Sequence, residues 1–427
     1  MFKRVLMLTA VVLVFSACQA QAAVIDSNWV GGDGGEWKQA SNWDPNIVPD
    51  NDGNSFVVTI DSGSEDWVGV GLQQPRTIDQ LDCYGNVWLE AWTSDWVLLT
   101  VENGLTNYGN LEIEDIEIDA NVTNWGMLEL CEAEIEADLY NLAGAVILAE
   151  GENDVDGDLE NEGELIIIHA SDLLCDSDLY NNGQINLYGG ECGVDQTLDN
   201  DSTGVIRGFG VLYVEQLLQN QGEITAYGGS LALRTNSMTQ QGTLSNTPVS
   251  SLQINSEQDV ENCGTINVNA GGGVAFDCNL VNASGEADGI IKLLGGTLAA
   301  RNITHSAGAT LSGFGTITGD VFIDPNGLIQ LTGPTNIVGD VEIDPNATLE
   351  ISDGTTLVTG DCVCNNGTIR MVGGRIIIQG DFTNDNCNII WQPGTYTNAA
   401  DFNLDGLVNF EDFADFADTW LWESAWH

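Results

Sequence analysis

The chain has 427 residues, 43% of them hydrophobic, with 64 acidic against 10 basic side chains and a net charge of -54. That much apolar material supports a packed core and argues against disorder despite the charge, while 50 Gly and only 8 Pro fit a turn-rich all-β body better than a helical enzyme. No cluster of Lys or Arg exists to displace counterions from phosphates, so nucleic acid is not expected as a partner; anionic membranes and acidic polymers are repelled unless a divalent cation bridges the two surfaces.

Residues 1–22 read as a secretory signal. Lys3 and Arg4 precede an apolar run from Val5 to Phe15 that is too short to span a bilayer comfortably, and Ala20-Gln21-Ala22 offers the small residues a signal peptidase needs. The protein is therefore expected to be extracellular or at the cell surface. Phe15-Ser16-Ala17-Cys18 resembles a lipoprotein box, which makes a lipid anchor on Cys18 the alternative. No later segment is long and apolar enough to span a membrane, so an integral membrane protein is not expected. Once Cys18 leaves with the signal, cysteines remain at 83, 131, 175, 192, 263, 278, 362, 364 and 387, an odd set read as small buried hydrophobes in preference to a disulfide framework. Cys362-Val363-Cys364 puts two thiols on one strand face without a zinc spacing.

Residues 23–99 hold Trp29, Trp37, Trp43, Trp67, Trp88, Trp92 and Trp96 and lack the repeat that follows. They form a Trp-rich N-terminal cap or the first coils. An end coil exposes its core and aromatic side chains cover it well; the functional alternative is a platform of exposed Trp for stacking sugars. Asn28-Trp29-Val30-Gly31-Gly32, Trp37, Asn42-Trp43 and Val48-Pro49 resemble the opening of large secreted bacterial repeat proteins, including autotransporter-like adhesins.

Residues 100–398 repeat one phrase: an apolar residue, any residue, Asn, a short turn with Gly, then alternating apolar positions. It stands as Leu105-Thr106-Asn107-Tyr108-Gly109, Leu159-Glu160-Asn161-Glu162-Gly163 and Leu179-Tyr180-Asn181-Asn182-Gly183, among others. The anchors Asn107, Asn124, Asn141, Asn161, Asn181, Asn200, Asn220, Gln240, Asn262 and Asn282 recur every 17 to 22 residues. After a blurred coil around His305 the period continues at Asn326, Asn346, Asn365 and Asn384, joined by Gly319-Asp320, Gly339-Asp340, Gly360-Asp361 and Gly380-Asp381. A unit of about twenty residues cannot bury its apolar face alone, whereas stacked units close a continuous core. The fold expected is all-β, a parallel β-helix or β-solenoid of about 20 residues per coil. At about 4.8 Å per coil, some fifteen coils would make a rod roughly 70 Å long.

In this fold Asn stacks on Asn through its amide, and Gly supplies positive φ at the turn. Leu165-Ile166-Ile167-Ile168 and Arg375-Ile376-Ile377-Ile378 are the β-branched strands of a buried parallel sheet. Glu112, Glu114, Glu117 and Asp119 alternate with Leu111, Ile113, Ile116 and Ile118 and belong to the outer face. If Asp320, Asp340, Asp361 and Asp381 stack, each neighbouring pair repels by about 1 kcal/mol in water, so added salt or calcium is expected to stabilise the protein.

Residues 399–427 carry the sharpest local motif, Asp401-Phe402-Asn403-Leu404-Asp405-Gly406-Leu407-Val408-Asn409-Phe410-Glu411-Asp412. Its oxygen ligands for Ca2+ are Asp401, Asn403, Asp405, the Leu407 carbonyl, Asn409 and Asp412, with Gly406 at the sharp turn. Phe413, Phe416, Ala417, Trp420 and Leu421 follow at helical spacing, giving a small α-helical calcium-loop tail. Asp at the last ligand position with Val408-Asn409 before it resembles the repeat of a type I dockerin, of which a single copy stands here, as in tails of large acidic secretomes of planctomycete-like bacteria. The resemblance implies calcium binding and a cohesin-like partner; the alternative for the tail is a cap on the last coil.

Enzymes on parallel β-helices suggest polysaccharide as a substrate, but the basic residues Lys38, Arg76, Arg207, Arg234, Lys292, Arg301, Arg370 and Arg375 are scattered, and the coils vary by only a few residues, leaving no long loops to build a cleft. Arg301-Asn302-Ile303-Thr304-His305 is the strongest catalytic candidate. The reading expected is a non-catalytic rod for adhesion, surface structure or matrix association, with a calcium-binding tail. The alternative is a polysaccharide-degrading enzyme or a carbohydrate-binding accessory protein.

Overall fold

The computed structural model of the protein describes residues 23–392 apart from 64–65, 95 and 284–287. Two units divide the chain, Met1–Asp138 and Leu139–His427. Both are parallel β-solenoids built from short strands, and the expected helical tail lies outside the described residues.

In the first unit the parallel pairing begins before the repeated phrase does. Val24–Asn28 lies on Ser55–Thr59, Val57–Asp61 on Gln80–Tyr84, and Leu81–Cys83 on Leu105–Asn107. The strands Leu105–Asn107, Asn110–Glu114 and Ile116–Asp119 make up one coil. Leu111, Ile113, Ile116 and Ile118 point inward and their acidic neighbours outward, as the alternation requires. At the N-terminal end Trp29, Trp37 and Trp43 form a buried cluster in which Trp43 meets the other two edge-to-face at 4.9 and 4.7 Å. The Trp37 indole N–H donates to the Pro49 carbonyl and that of Trp43 to the Trp37 carbonyl. These three side chains fill the end of the core, the structural reading of the aromatic opening, with the Trp29 indole N–H left buried without a partner among the described residues. Trp67, Trp92 and Trp96 stay on the outside.

In the second unit the strands keep register from coil to coil apart from a few bulges. One interior column runs Ile147, Leu165, Ile185, Ile206, Ile224, Leu244, Ile266, Ile291, Leu311, Ile329, Leu349, Ile369. Each such side chain contributes about 2 kcal/mol by leaving water, which no single coil could collect without a neighbour above and below. Leu165 and Ile167 are buried while Ile166 and Ile168 are half-buried, so the sheets are covered on one face only.

A second column carries the amides. Within the first unit Asn107 Nδ2 donates to Asn124 Oδ1 at 2.8 Å. Within the second, Asn141, Asn161, Asn181, Asn200, Asn220 and Gln240 form an unbroken chain of such bonds at 2.7–2.8 Å, and Asn262 donates to Asn282 at 2.8 Å. The second N–H of Asn141, Asn161 and Asn200 goes to a backbone carbonyl of the next turn, so these fully buried amides are satisfied.

Two expectations about the turns change. The glycines two residues after the ladder Asn do not adopt positive φ; a Cβ on Gly183 would overlap the Gly163 carbonyl oxygen, and one on Gly242 that of Gly222. Close approach of successive backbones, not a left-handed turn, demands glycine there. Nor do Asn326, Asn346 and Asn365 continue the amide column; of the expected series only Asn384 falls in it. The residues in register after Asn282 are His305, Ile323, Ile343, Cys364 and Asn384. Asn326 and Asn346 occupy turns at φ 66° and 63°, positions taken later by Asn366 and Asn386 rather than by Asn365 and Asn384.

The cysteines are mostly interior, with Cys83, Cys175, Cys192, Cys278 and Cys362 buried and free. Burial pushes the thiols of Cys175 and Cys192 up to about 12, which keeps them protonated and inert. Cys364 and Cys387 form a disulfide, which corrects the reading of all cysteines as packing residues and removes Cys364 from any thiol pair with Cys362. It joins the last two described coils, where Phe382, Ile389 and Trp391 continue core columns but are 40–52% exposed.

Candidate functional site

The calcium-loop residues Asp401, Asn403, Asp405, Leu407, Asn409 and Asp412 lie outside the described residues. Among the described ones, the catalytic candidate around His305 comes apart. Its imidazole is fully buried at the amide-ladder position: Nδ1 accepts from Asn282 Nδ2 at 3.1 Å and Nε2 donates to the Leu328 carbonyl at 2.8 Å. These partners select the neutral ring. Burial pushes its pKa below the ordinary value, only partly offset by the Leu328 carbonyl and by Asp324. Arg301, four residues earlier, is exposed and donates to the Asp277 carbonyl at 2.8 Å. A base and an imidazole four residues apart thus stand one outside and one inside the coil and act on nothing in common.

The aspartates expected to stack do so, with partners. Asp320 Oδ1 accepts the backbone N–H of Asp340 at 2.9 Å, Asp340 that of Asp361 at 2.7 Å, and Asp361 that of Asp381 at 2.8 Å. Asp158 with Asp178, and Asp259 with Asn279, make the same bond at the same corner of earlier coils. Each carboxylate is held by a dipole of the coil above, which offsets part of the repulsion between neighbours. Elsewhere repulsion is visible: Glu136, hydrogen-bonded to Glu117 and close to Asp119, has its pKa raised to about 6. Carboxylate oxygens of Asp154, Asp156 and Asp176 lie within 4.8 Å of one another, a donor set that suits a hard cation but is ordinary on so acidic a surface.

Exposed aromatics form the other surface feature. Tyr84, Tyr108 and Trp125 follow the ladder column one coil apart in the first unit, with the Tyr84 and Tyr108 rings stacked at 4.7 Å and 8°. In the second unit Asn186, Tyr188, Arg207, Gly208 and Tyr227 line a shallow hollow of about 260 Å³. Sequence reasoning treated Arg207 as one of several scattered cations and missed this site. Its signal was the succession Tyr188-Gly189-Gly190, Gly208-Phe209-Gly210 and Tyr227-Gly228-Gly229, one triplet per coil. Comparison with known proteins found no matching family model, no matching curated protein and no matching solved structure.

Proposed function

We propose that this protein is a non-catalytic solenoid of the cell exterior, serving adhesion, surface structure or matrix association, with a calcium-binding tail at residues 399–427. The observation that carries this reading is the fate of the interior polar groups. His305 and the buried amides are rungs of one coil-to-coil column, and their hydrogen bonds are used in holding coils together. The basic side chains add support: Lys38, Arg76 and Arg370 are ion-paired to Glu36, Asp50 and Glu350, and Arg301 is tied to a carbonyl. A surface this acidic associates with other acidic matter through Ca2+, and the dockerin-like loop is a route to a cohesin-like partner.

Incubation with uronic acid polymers and with plant or algal glycans in calcium should release no reducing ends and no unsaturated products. Release that copurifies with the chain overturns the reading. Calorimetry should show one calcium site lost in Asp401→Ala and Asp405→Ala; unchanged binding refutes the loop. The alternative of a carbohydrate-binding accessory protein is favoured by the exposed Tyr84–Tyr108 stack, since a π face in water suits the apolar face of a sugar.

A further inference from the structure

We infer that the hollow around Arg207 binds the carboxylate of an acidic sugar, with the rings of Tyr188 and Tyr227 flanking it as stacking faces. The inference stands whether or not the chain turns over a substrate, because it concerns binding at one place in the second unit.

The guanidinium of Arg207 is set in position by neutral groups. Its Nε donates to Asn186 Oδ1 at 2.6 Å and one Nη to Gln184 Oε1 at 3.2 Å. Asn186 is itself 1% exposed, and its Nδ2 donates to Glu164 Oε1 at 2.6 Å, which fixes the way its amide faces. Asn186 and Arg207 are in register in successive coils, following Ile166, while Glu164 and Gln184 are in register two residues earlier. Amide oxygens orient a guanidinium without neutralising it. In a chain of 64 acids against 10 bases, Arg207 makes no ion pair among the described residues, unlike Arg76 or Arg370. A cation held on neutral partners with its remaining N–H groups at the surface is organised for an anion that arrives from outside, and the planar fork of Arg matches a carboxylate.

The aromatics supply the sugar-binding half. Tyr188 and Tyr227 are 46% and 59% exposed, far more than packing alone would leave them. They sit in the coils before and after that of Arg207, about 10 Å apart at two coil spacings, the span of a short oligosaccharide rather than of one ring. Between them Phe209 turns onto the glycine backbone: a Cβ on Gly189 would stand 3.0 Å from its ring and one on Gly229 2.9 Å from its Cβ. Glycine at these corners lets Phe209 lie flat and keeps the hollow open between the two tyrosines. The net charge of -54 repels an acidic ligand at long range, but salt at physiological strength screens beyond about 8 Å, while the Arg207 contact is direct.

Calorimetric titration of the full chain in chelator and physiological salt tests this with three trisaccharides: a uronic acid form, its carboxyl-reduced neutral counterpart, and a sulfated neutral form. Chelator removes cation bridging to the acidic surface. The uronate should bind about tenfold more tightly than the neutral sugar, the difference expected of one charge-assisted bidentate contact. Arg207→Gln should erase that preference and Arg207→Lys should reduce it, while Tyr227→Ala and Tyr188→Ala should weaken acid and neutral forms alike. Arg207 is exposed, so an unchanged thermal midpoint certifies that its variants fold. Equal binding of acid and neutral forms, undiminished uronate binding in Arg207→Gln, or no binding of the uronate at millimolar concentration overturns the inference. Equal affinity for the sulfated sugar overturns the assignment of a carboxylate.

Discussion

His305 takes a place that amides fill in the coils before it, and imidazole does so only while neutral. Protonation would set an N–H at Nδ1 against the N–H of Asn282 Nδ2, which cannot turn without losing its bond to the Thr310 carbonyl. The folded chain therefore holds this ring below its ordinary pKa, with Asp324 the acid that opposes the shift and Asn282, the Leu328 carbonyl and the Ala309 backbone its other close partners. A base with a lowered folded pKa contributes stability that is complete above the unfolded value of 6.5 and is lost as pH falls below it toward the folded value. The difference in thermal midpoint between the natural chain and His305→Asn should accordingly widen in favour of the variant between pH 7.5 and pH 5. A difference that stays constant with pH would remove the ring from the acid response.

A coil is stabilised by the coil on either side, so damage to one should stay near it. Asn161 accepts from Asn141 at 2.8 Å and donates to Asn181 at 2.7 Å and to the Gln184 carbonyl at 3.0 Å. Asn161→Ala strands these groups in the interior, at about 1–3 kcal/mol for each one left without a partner. Asn161→Asp adds a buried charge and should do worse. Because contacts in a solenoid are with neighbours, amide hydrogen exchange should speed up in the coils from Asn141 to Asn181 and change little from Val321 to Asn365. Uniform loss of protection across the second unit would show that the coils do not act as separable elements. The ladder itself was legible in the sequence, since an identical polar residue at a fixed period in an apolar stretch has few other uses. Its ending was not: Asn326 and Asn346 keep the period but stand three residues beyond Ile323 and Ile343, which hold the column.

The charge belongs to the molecule as a whole. Acids aligned at coil spacing repel one another, yet the Asp320 to Asp381 row is held by backbone N–H groups, so the response to salt should come chiefly from rows without such donors. Glu136 marks one of them: an acid whose folded pKa is raised to about 6 contributes stability below its ordinary value of 4.5 that is lost as pH rises through about 6, opposite in sense to His305. At neutral pH the thermal midpoint should climb as salt goes from about 10 mM to about 0.5 M, over which the screening length falls from roughly 30 Å to a few ångströms. Calcium should add to this beyond its ionic strength if acidic rows or the tail bind it. A midpoint indifferent to both would mean that repulsion is not a material term in this fold.

Period, alternation and composition by themselves determined the class of fold, the inward and outward faces and the amide column, because each is a local pattern repeated until only stacking could bury it. What tertiary structure decided are the facts that depend on which residues fall side by side in neighbouring coils. It placed His305 inside the ladder and Arg301 outside it, joined Cys364 to Cys387, and made glycine a matter of backbone approach rather than of turn conformation. It also drew Tyr188, Arg207 and Tyr227 to one hollow from three successive coils. Coils differ in length by a few residues, and each difference shifts the register, so separation along the chain does not say which side chains meet.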